Sequence, residues 1–162
     1  MAVVVVTDSS ARLPAAETHR WDIRVAPLHV LVDGHDLCDG VDDVPADLYT
    51  RGHVTTAGAT PAELSALYRQ AVLDSGGDGV VAVHISGSLS STLGAAEHAA
   101  AEFAGLVRVV DSKSAAMGTG FGGVPFDESA RQMAGAYRMY LTPPHRLDWD
   151  RAIEVQKAVG SI

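Results

Sequence analysis

The chain of 162 residues has one cysteine, few aromatic residues and no excess of basic charge. Because Cys38 is the only cysteine, an intrachain disulfide is excluded, and this cysteine usage is typical of a reducing compartment. Twelve basic residues against 20 acidic ones give a formal net charge of −8. Non-specific binding to nucleic acid or to an anionic membrane surface requires a basic surface, so the composition argues against both.

Long hydrophobic runs are also missing. The apolar run from Ala2 to Val6 is too short for a secretory signal and has no basic start. No other stretch approaches the roughly 20 apolar residues that a membrane-spanning helix needs. We therefore expect a cytoplasmic protein without a membrane span.

The usual signatures of catalysis and of cofactor binding are absent from the sequence. There is no Walker A run, no dinucleotide-binding glycine spacing and no Gly-x-Ser-x-Gly elbow. The seven histidines show no paired metal-ligand spacing, and His84, inside an apolar strand, is expected to be a packed core residue. The acidic surroundings of Cys38 should raise the pKa of its thiol instead of activating it. We predict no enzyme, no cofactor and no metal; a hydrolase or transferase using Ser86 or Ser90 stays open as an alternative.

What the sequence does contain is an alternation of strands and helices. The unbroken apolar run at 2–6 is typical of a strand that is covered on both faces, and mainly apolar segments at 80–85 and 106–110 are also predicted as strands. Helical patterns follow at 60–73, where Thr60 and Glu63 form a capping box, and at about 90–103. The segment Ile23–Val32 is predicted as one strand with an edge or bulge at Pro27. The pattern predicts an α/β fold with a doubly wound parallel sheet, whose ligands bind beyond the carboxyl ends of the strands.

A cluster of hydroxyl side chains follows the strand that ends at Ile85. Five hydroxyls occur within seven residues, namely Ser86, Ser88, Ser90, Ser91 and Thr92. A helix start uses about one such side chain as a cap, and a helix amino terminus also holds carboxylates and phosphates. The cluster therefore predicts a site for a small acidic group. Thr55 and Thr56, followed by small residues that let a ligand approach the backbone, form a second candidate.

The distribution of charge indicates a boundary near Pro125. From residue 127 onward there are five basic and five acidic residues, so the whole negative excess lies in the first 126 residues. Helical patterns at 127–140 and 149–159 follow this point. We predict an α/β domain over 1–121 and a helical tail over 122–162.

Taken in order, these motifs resemble the DegV family of bacterial fatty-acid-binding proteins. The resemblance covers residues 2 to about 121. It rests on six segments: Val5–Ser10, Val25–Val30 with Gly34 after it, Asp39–Asp42, Thr55–Pro61, Ile85–Thr92 and Val109–Ser112.

The resemblance implies a function in lipid transport. Family members bind one long-chain fatty acid in a tunnel between two domains, and some present the acyl chain to a separate fatty acid kinase for phospholipid synthesis. Hydroxyls and backbone amides hold the carboxylate. Carried over by position, these contacts are Thr56 with Thr55 beside it, and Ser86, Gly87 and Ser88, while Ser90 and Thr92 cap the helix behind them.

The chain departs from the family pattern in two respects. Gly87 stands where the family has a second serine, and Ala57-Gly58-Ala59-Thr60 replaces Ser-Gln-Pro-Ser. After Phe121 the pattern ends, and we expect the second domain that closes the tunnel in the family to have no counterpart in this chain. The tail is expected to be a substitute cap, an arm for homodimer formation or the product of a truncated gene. The alternative function is accordingly a domain without lipid binding of its own that associates with itself or with a partner.

Overall fold

The computed structural model describes residues 3–44, 47–50, 53–116 and 118–120, and the structural statements below concern these residues. They form seven strands and three α-helices. The strands are β1 (Val4–Asp8), β2 (Arg24–Ala26), β3 (His29–Val32), β4 (His35–Cys38), β5 (Val54–Ala57), β6 (Val80–His84) and β7 (Val107–Asp111). The helices are α1 (Ala15–Trp21), α2 (Pro61–Asp74) and α3 (Thr92–Ala100).

Four strands form a parallel sheet in the order β2-β1-β6-β7. Val6 of β1 lies opposite Ala82 of β6, which lies opposite Val109 of β7. Val6 and Ala82 are fully buried because they belong to the hydrophobic cluster that includes Leu64 and Tyr68. The predicted α/β class with a parallel sheet and flanking helices is confirmed.

Helices α2 and α3 pack against each other and against this sheet. Thr60 caps α2 by accepting from the Glu63 amide, and the Glu63 carboxylate accepts from the Thr60 amide, so the predicted capping box is present. Leu64, Tyr68 and Ala71 of α2 are fully buried in the core. Their spacing of three and four residues places all three on one face of the helix.

The segment Ile23–Val32 is not one strand, and that prediction is wrong. It divides at Pro27 into β2 of the parallel sheet and β3 of a separate antiparallel sheet with the order β4-β3-β5. Pro27 has no N–H for a ladder, and the amide of Leu28 donates to Ser9 Oγ at 3.0 Å. The chain therefore leaves the parallel sheet at this point.

The carboxyl ends of β1, β6 and β7 meet at one edge of the parallel sheet. These strands end at Asp8, His84 and Asp111, and the amide of Ser112 donates to the His84 carbonyl at 3.1 Å. Polar residues of three strands are therefore gathered beyond the carboxyl ends of the sheet, where ligands are expected to bind in this fold class. Within the described ranges no helix is long and apolar enough to cross a membrane. The helices predicted at 127–140 and 149–159 lie outside the described residues.

Candidate functional site

A cleft of about 720 Å³ opens where three segments of the chain approach one another. These are the turn after β1, the loop that follows β5 and the segment that joins β6 to α3. Apolar side chains form part of the wall, namely Leu28, Val30, Ile85 and Leu89. Hydroxyl side chains form another part, namely Ser10, Thr56, Thr60, Ser90 and Ser91. The cleft is therefore amphipathic, with polar groups gathered beyond the strand ends as the fold class predicts.

Two of the predicted site residues, Thr56 and Ser90, come together in this cleft. Thr56 lies on β5, paired with Val30 of β3, and Ser90 lies in the segment before α3. Thr55 is not part of the cleft wall. Because successive side chains of a strand point to opposite faces, Thr55 projects to the side of β5 away from Thr56.

Ser86, Gly87 and Ser88 form a tight turn outside the cleft wall. The buried Ser86 hydroxyl oxygen accepts from the Ser88 amide at 3.3 Å, and the Ser86 carbonyl accepts from the amides of residues 89 and 90. Burial raises the pKa of Asp111, but the hydrogen bonds and charge of Lys113, with a smaller contribution from the Gly87 amide that donates to the carboxylate, hold it below its usual value. These three residues shape the segment that carries Ser90.

Ser90 and Thr92 have different roles at the start of α3. Ser90 Oγ accepts from the Thr92 amide at 3.2 Å and lies 2.9 Å from Thr92 Oγ1, so Ser90 satisfies the amide of the first residue of α3. The residue at the cap position is Ser91, whose side chain makes no cap hydrogen bond, and Thr92 lies within the helix. Thr92 is fully buried and packs beneath the loop at Gly58. A Cβ atom at residue 58 would lie 2.6 Å from Thr92 Oγ1, so a glycine allows the β5 loop to approach α3 this closely.

A buried carboxylate, Asp8, stands directly behind the cleft. Its Oδ2 accepts from the Ile85 amide and from His84 Nδ1, both at 2.9 Å. Its Oδ1 accepts from the amide of Ser10 at 3.1 Å and from the Ser10 hydroxyl. Burial by itself raises the pKa of Asp8, but the hydrogen bonds from His84, Ser10 and Ile85 outweigh it, and the pKa lies below its usual value.

His84 continues this network into the core. It is fully buried, as predicted for a packed core histidine, and its Nε2 lies 2.8 Å from the hydroxyl of the equally buried Tyr68. In the tautomer whose Nδ1–H donates to Asp8, Nε2 accepts from the Tyr68 hydroxyl. Burial and the nearby Asp8 charge raise the pKa of Tyr68, so this phenol keeps its proton. The chain Tyr68–His84–Asp8 joins α2, β6 and β1.

Sequence reasoning missed several polar residues of the cleft wall. Ser10, Arg12 and Asp39 line the cleft, and Arg12 Nη1 lies 3.0 Å from Asp39 Oδ1. Asp39 Oδ2 also accepts from Ser9 Oγ at 2.8 Å. The Thr7–Ser9 strand end was a signal for this region, but no local pattern indicates that Arg12 and Asp39 meet across 27 residues.

His29 forms a second charged cluster at the cleft. Its Nδ1 lies 2.9 Å from Asp36 and its Nε2 lies 3.2 Å from Glu63. Burial lowers the pKa of His29, but the hydrogen bonds and charges of the two carboxylates raise it by more. Cys38 lies opposite His29 in the β3–β4 pair, at the end of β4. Its pKa is raised by burial and then by Asp42, Asp36 and Glu63, as the sequence indicated.

The arrangement provides the chemistry to hold a polar group at the end of an apolar molecule. Hydroxyls offer donors and acceptors, the first turn of α3 offers backbone amides, and Leu28 and Leu89 offer apolar contact. Nucleophilic catalysis by Ser86 or Ser90 would need a base within hydrogen-bonding distance. Over the described part of the chain neither serine has a histidine or carboxylate as its side-chain partner.

Comparison with known proteins gives concordant results. The model of the DegV family, described as uncharacterised proteins, matches residues 2–134, which extends past residue 121, where the motif resemblance ends. A DegV domain-containing protein of Mycobacterium tuberculosis is 64% identical over 121 residues, covering 75% of this chain and 43% of that protein. The corresponding protein of Streptomyces coelicolor is 38% identical over 132 residues, covering 79% and 47%. The chain thus spans about half the length of the curated relatives that it matches.

Solved structures show the same relationship. A DegV family protein from Thermus thermophilus, whose structure is described as showing fatty acid binding, superposes with a TM-score of 0.69 at 29% identity. The superposition covers 98% of this chain and 53% of that protein. A DegV family protein of Corynebacterium glutamicum superposes with a TM-score of 0.63 at 36% identity, covering 84% and 43%.

Proposed function

The chain belongs to the DegV family, and on that premise we propose that it binds a long-chain fatty acid, with the carboxyl group of the lipid seated in the cleft beside Thr56 and Ser90. The observation that carries this proposal is that Thr56 and Ser90 both line one amphipathic cleft. The two side chains come from segments 34 residues apart in the sequence, one on β5 and one before α3. A single head group between them would hold both segments together.

The roles of the other predicted residues follow from their positions. Ser86, Gly87 and Ser88 build the turn that presents Ser90, and Thr92 supports Ser90 from below. Leu28, Val30 and Leu89 supply apolar surface for the first methylene groups of the acyl chain. Thr55 projects away from the cleft and takes no part in the contact.

We further propose that the protein is a fatty acid carrier, which presents its bound acyl group to a fatty acid kinase. The resemblance to the family supports this role. The expected product is an acyl phosphate, formed when such a kinase and ATP are added to the lipid-loaded protein. Trapping with hydroxylamine would detect it, and its absence with a kinase that is active on another carrier would contradict this role.

Native mass spectrometry of the purified full-length chain tests the lipid-binding proposal. We expect a fraction of the protein to carry hexadecanoic or octadecanoic acid from the expression host. The double variant Thr56→Val, Ser90→Ala should lose most of this fraction, while the matched double variant Thr55→Val, Ser88→Ala should keep it. Equal retention by both variants would remove Thr56 and Ser90 from the head-group site. A ligand-free dimer of the wild-type chain would instead favour the alternative of self-association.

A further inference from the structure

The wall of the cleft contains a serine whose hydroxyl proton points away from the cleft. Ser10 is half-buried and lines the cleft, and its hydroxyl donates to Asp8 Oδ1, as its backbone amide does. An ionised carboxylate can only accept hydrogen bonds, so the direction of this bond is fixed. The Ser10 oxygen therefore faces the cleft only with its lone pairs.

Hydrogen-bond donors around the buried Asp8 carboxylate favour its ionised state. Asp8 is fully buried, and four donors surround its two oxygens: two from Ser10, one from Ile85 and one from His84. The Tyr68 hydroxyl hydrogen-bonds to His84 Nε2 and so orients the ring with Nδ1 facing Asp8. Tyr68 and His84 are positioning residues, because they act on the cleft through Asp8 and Ser10.

The positive charges at the cleft already have acidic partners. Arg12 pairs with Asp39, and His29 lies between Asp36 and Glu63. With Asp8 included, Arg12 and the imidazole of His29 are set against four carboxylates in these clusters, of which Asp39 lines the cleft. A carboxylate anion placed beside Ser10 would meet an acceptor oxygen and an excess of negative charge, and both interactions are unfavourable.

We propose that Ser10 is a specificity-determining residue that selects the neutral carboxylic acid form of the lipid. The acid O–H donates to Ser10 Oγ, and the acid carbonyl oxygen accepts from the hydroxyl of Thr56 or Ser90. This inference rests on the proposed function and adds to it the protonation state of the bound head group. A free carboxyl group is ionised at neutral pH, so binding at neutral pH takes up one proton from solution for each lipid bound.

Isothermal titration of the full-length chain with dodecanoic acid tests this inference. Titrations at about pH 7 in phosphate and in Tris, whose ionisation enthalpies differ, report how many protons are exchanged on binding. We expect uptake of about one proton, and an affinity that falls by about tenfold per unit of pH above neutrality. Binding without proton uptake would mean that the anion is bound, for example at the amino end of α3, and would overturn the inference while leaving fatty acid binding intact.

Two further ligands and two variants isolate the role of Ser10. Dodecanol offers a donor to Ser10 and the methyl ester of dodecanoic acid offers none, so the wild-type chain should bind the alcohol more tightly. Ser10→Ala should lower the affinity for dodecanoic acid about three- to tenfold and remove the preference for the alcohol. The matched variant Ser65→Ala changes a serine on α2 whose partner is Glu102. It should leave the affinity for dodecanoic acid and the preference for the alcohol unchanged. An unaltered preference in Ser10→Ala would overturn the inference, and failure of all three ligands to bind would overturn it together with the proposed function.

Discussion

The hydroxyl of Tyr68 lies 2.8 Å from Nε2 of His84, and both side chains are fully buried between α2 and the parallel sheet. This contact is the inner end of a chain of hydrogen bonds that reaches the cleft through Asp8 and Ser10. Polar groups in a core are costly unless each has a partner. The network therefore contributes to stability and to the geometry of the cleft at the same time.

Removing the Tyr68 hydroxyl should destabilise the fold. Tyr68→Phe keeps the ring, which packs edge-on against Phe103, but leaves His84 Nε2 without its donor. We expect the free energy of unfolding to fall by about 1–3 kcal/mol, as measured by urea denaturation at neutral pH. An unchanged free energy would show that Tyr68 is not a required partner of His84.

Asp8 should give the protein a stability that depends on acid pH. The folded pKa of Asp8 lies below the ordinary value of 3.8, so its stabilising effect is present above about pH 4 and is lost as the pH falls through the folded pKa. Asp8→Asn should cost on the order of 3 kcal/mol at neutral pH, and this difference from the wild-type chain should shrink as the pH falls below 3.8 and through the folded pKa. The exposed Asp22→Asn should cost under about 0.5 kcal/mol, and a pH-independent cost of Asp8→Asn would refute the assignment.

The stabilising effect of His29 should be lost as the pH rises, whereas that of Asp8 is lost as the pH falls. Its folded pKa is raised above 6.5 by Asp36 and Glu63, so its stabilising effect is complete below about pH 6.5 and is lost as the pH rises through the folded pKa. His29→Gln should therefore destabilise the chain more at about pH 6 than at about pH 9. Thermal unfolding at both values measures the difference, and the exposed His19→Gln serves as the control. A larger effect of His29→Gln at alkaline pH would contradict the double contact.

Two glycines should respond to alanine in opposite directions. At Gly58 a Cβ atom would collide with Thr92 Oγ1 at 2.6 Å and approach its backbone nitrogen at 3.2 Å, so Gly58→Ala should push the β5 loop from α3 and weaken lipid retention. Gly94, inside α3, has open space around it, and Gly94→Ala should stabilise the chain by about 0.5–1 kcal/mol. Calorimetry and native mass spectrometry of both variants check this pair. Retained lipid in Gly58→Ala would show that the close approach is not needed.

The parallel sheet could be predicted because its strands are local apolar runs with polar ends. The division of Ile23–Val32 into two strands could not be predicted, because it depends on a hydrogen bond from the Leu28 amide to Ser9 Oγ, 19 residues away in the sequence. The Asp8–His84 contact spans 76 residues, and no local pattern reports it. The opposite orientation of Thr55 and Thr56, in contrast, follows from the two-residue period of any strand.

The most direct test of the account is the dissociation constant of the full-length chain for hexadecanoic acid. Fluorescence displacement or titration calorimetry should show saturable binding of one lipid per chain by the wild-type protein. The variant Thr56→Val, Ser90→Ala should bind at least about tenfold more weakly, with an unchanged unfolding transition. Absence of saturable binding by the wild-type chain, or equal affinity in the two proteins, would contradict the central claim that this cleft holds the head group of a fatty acid.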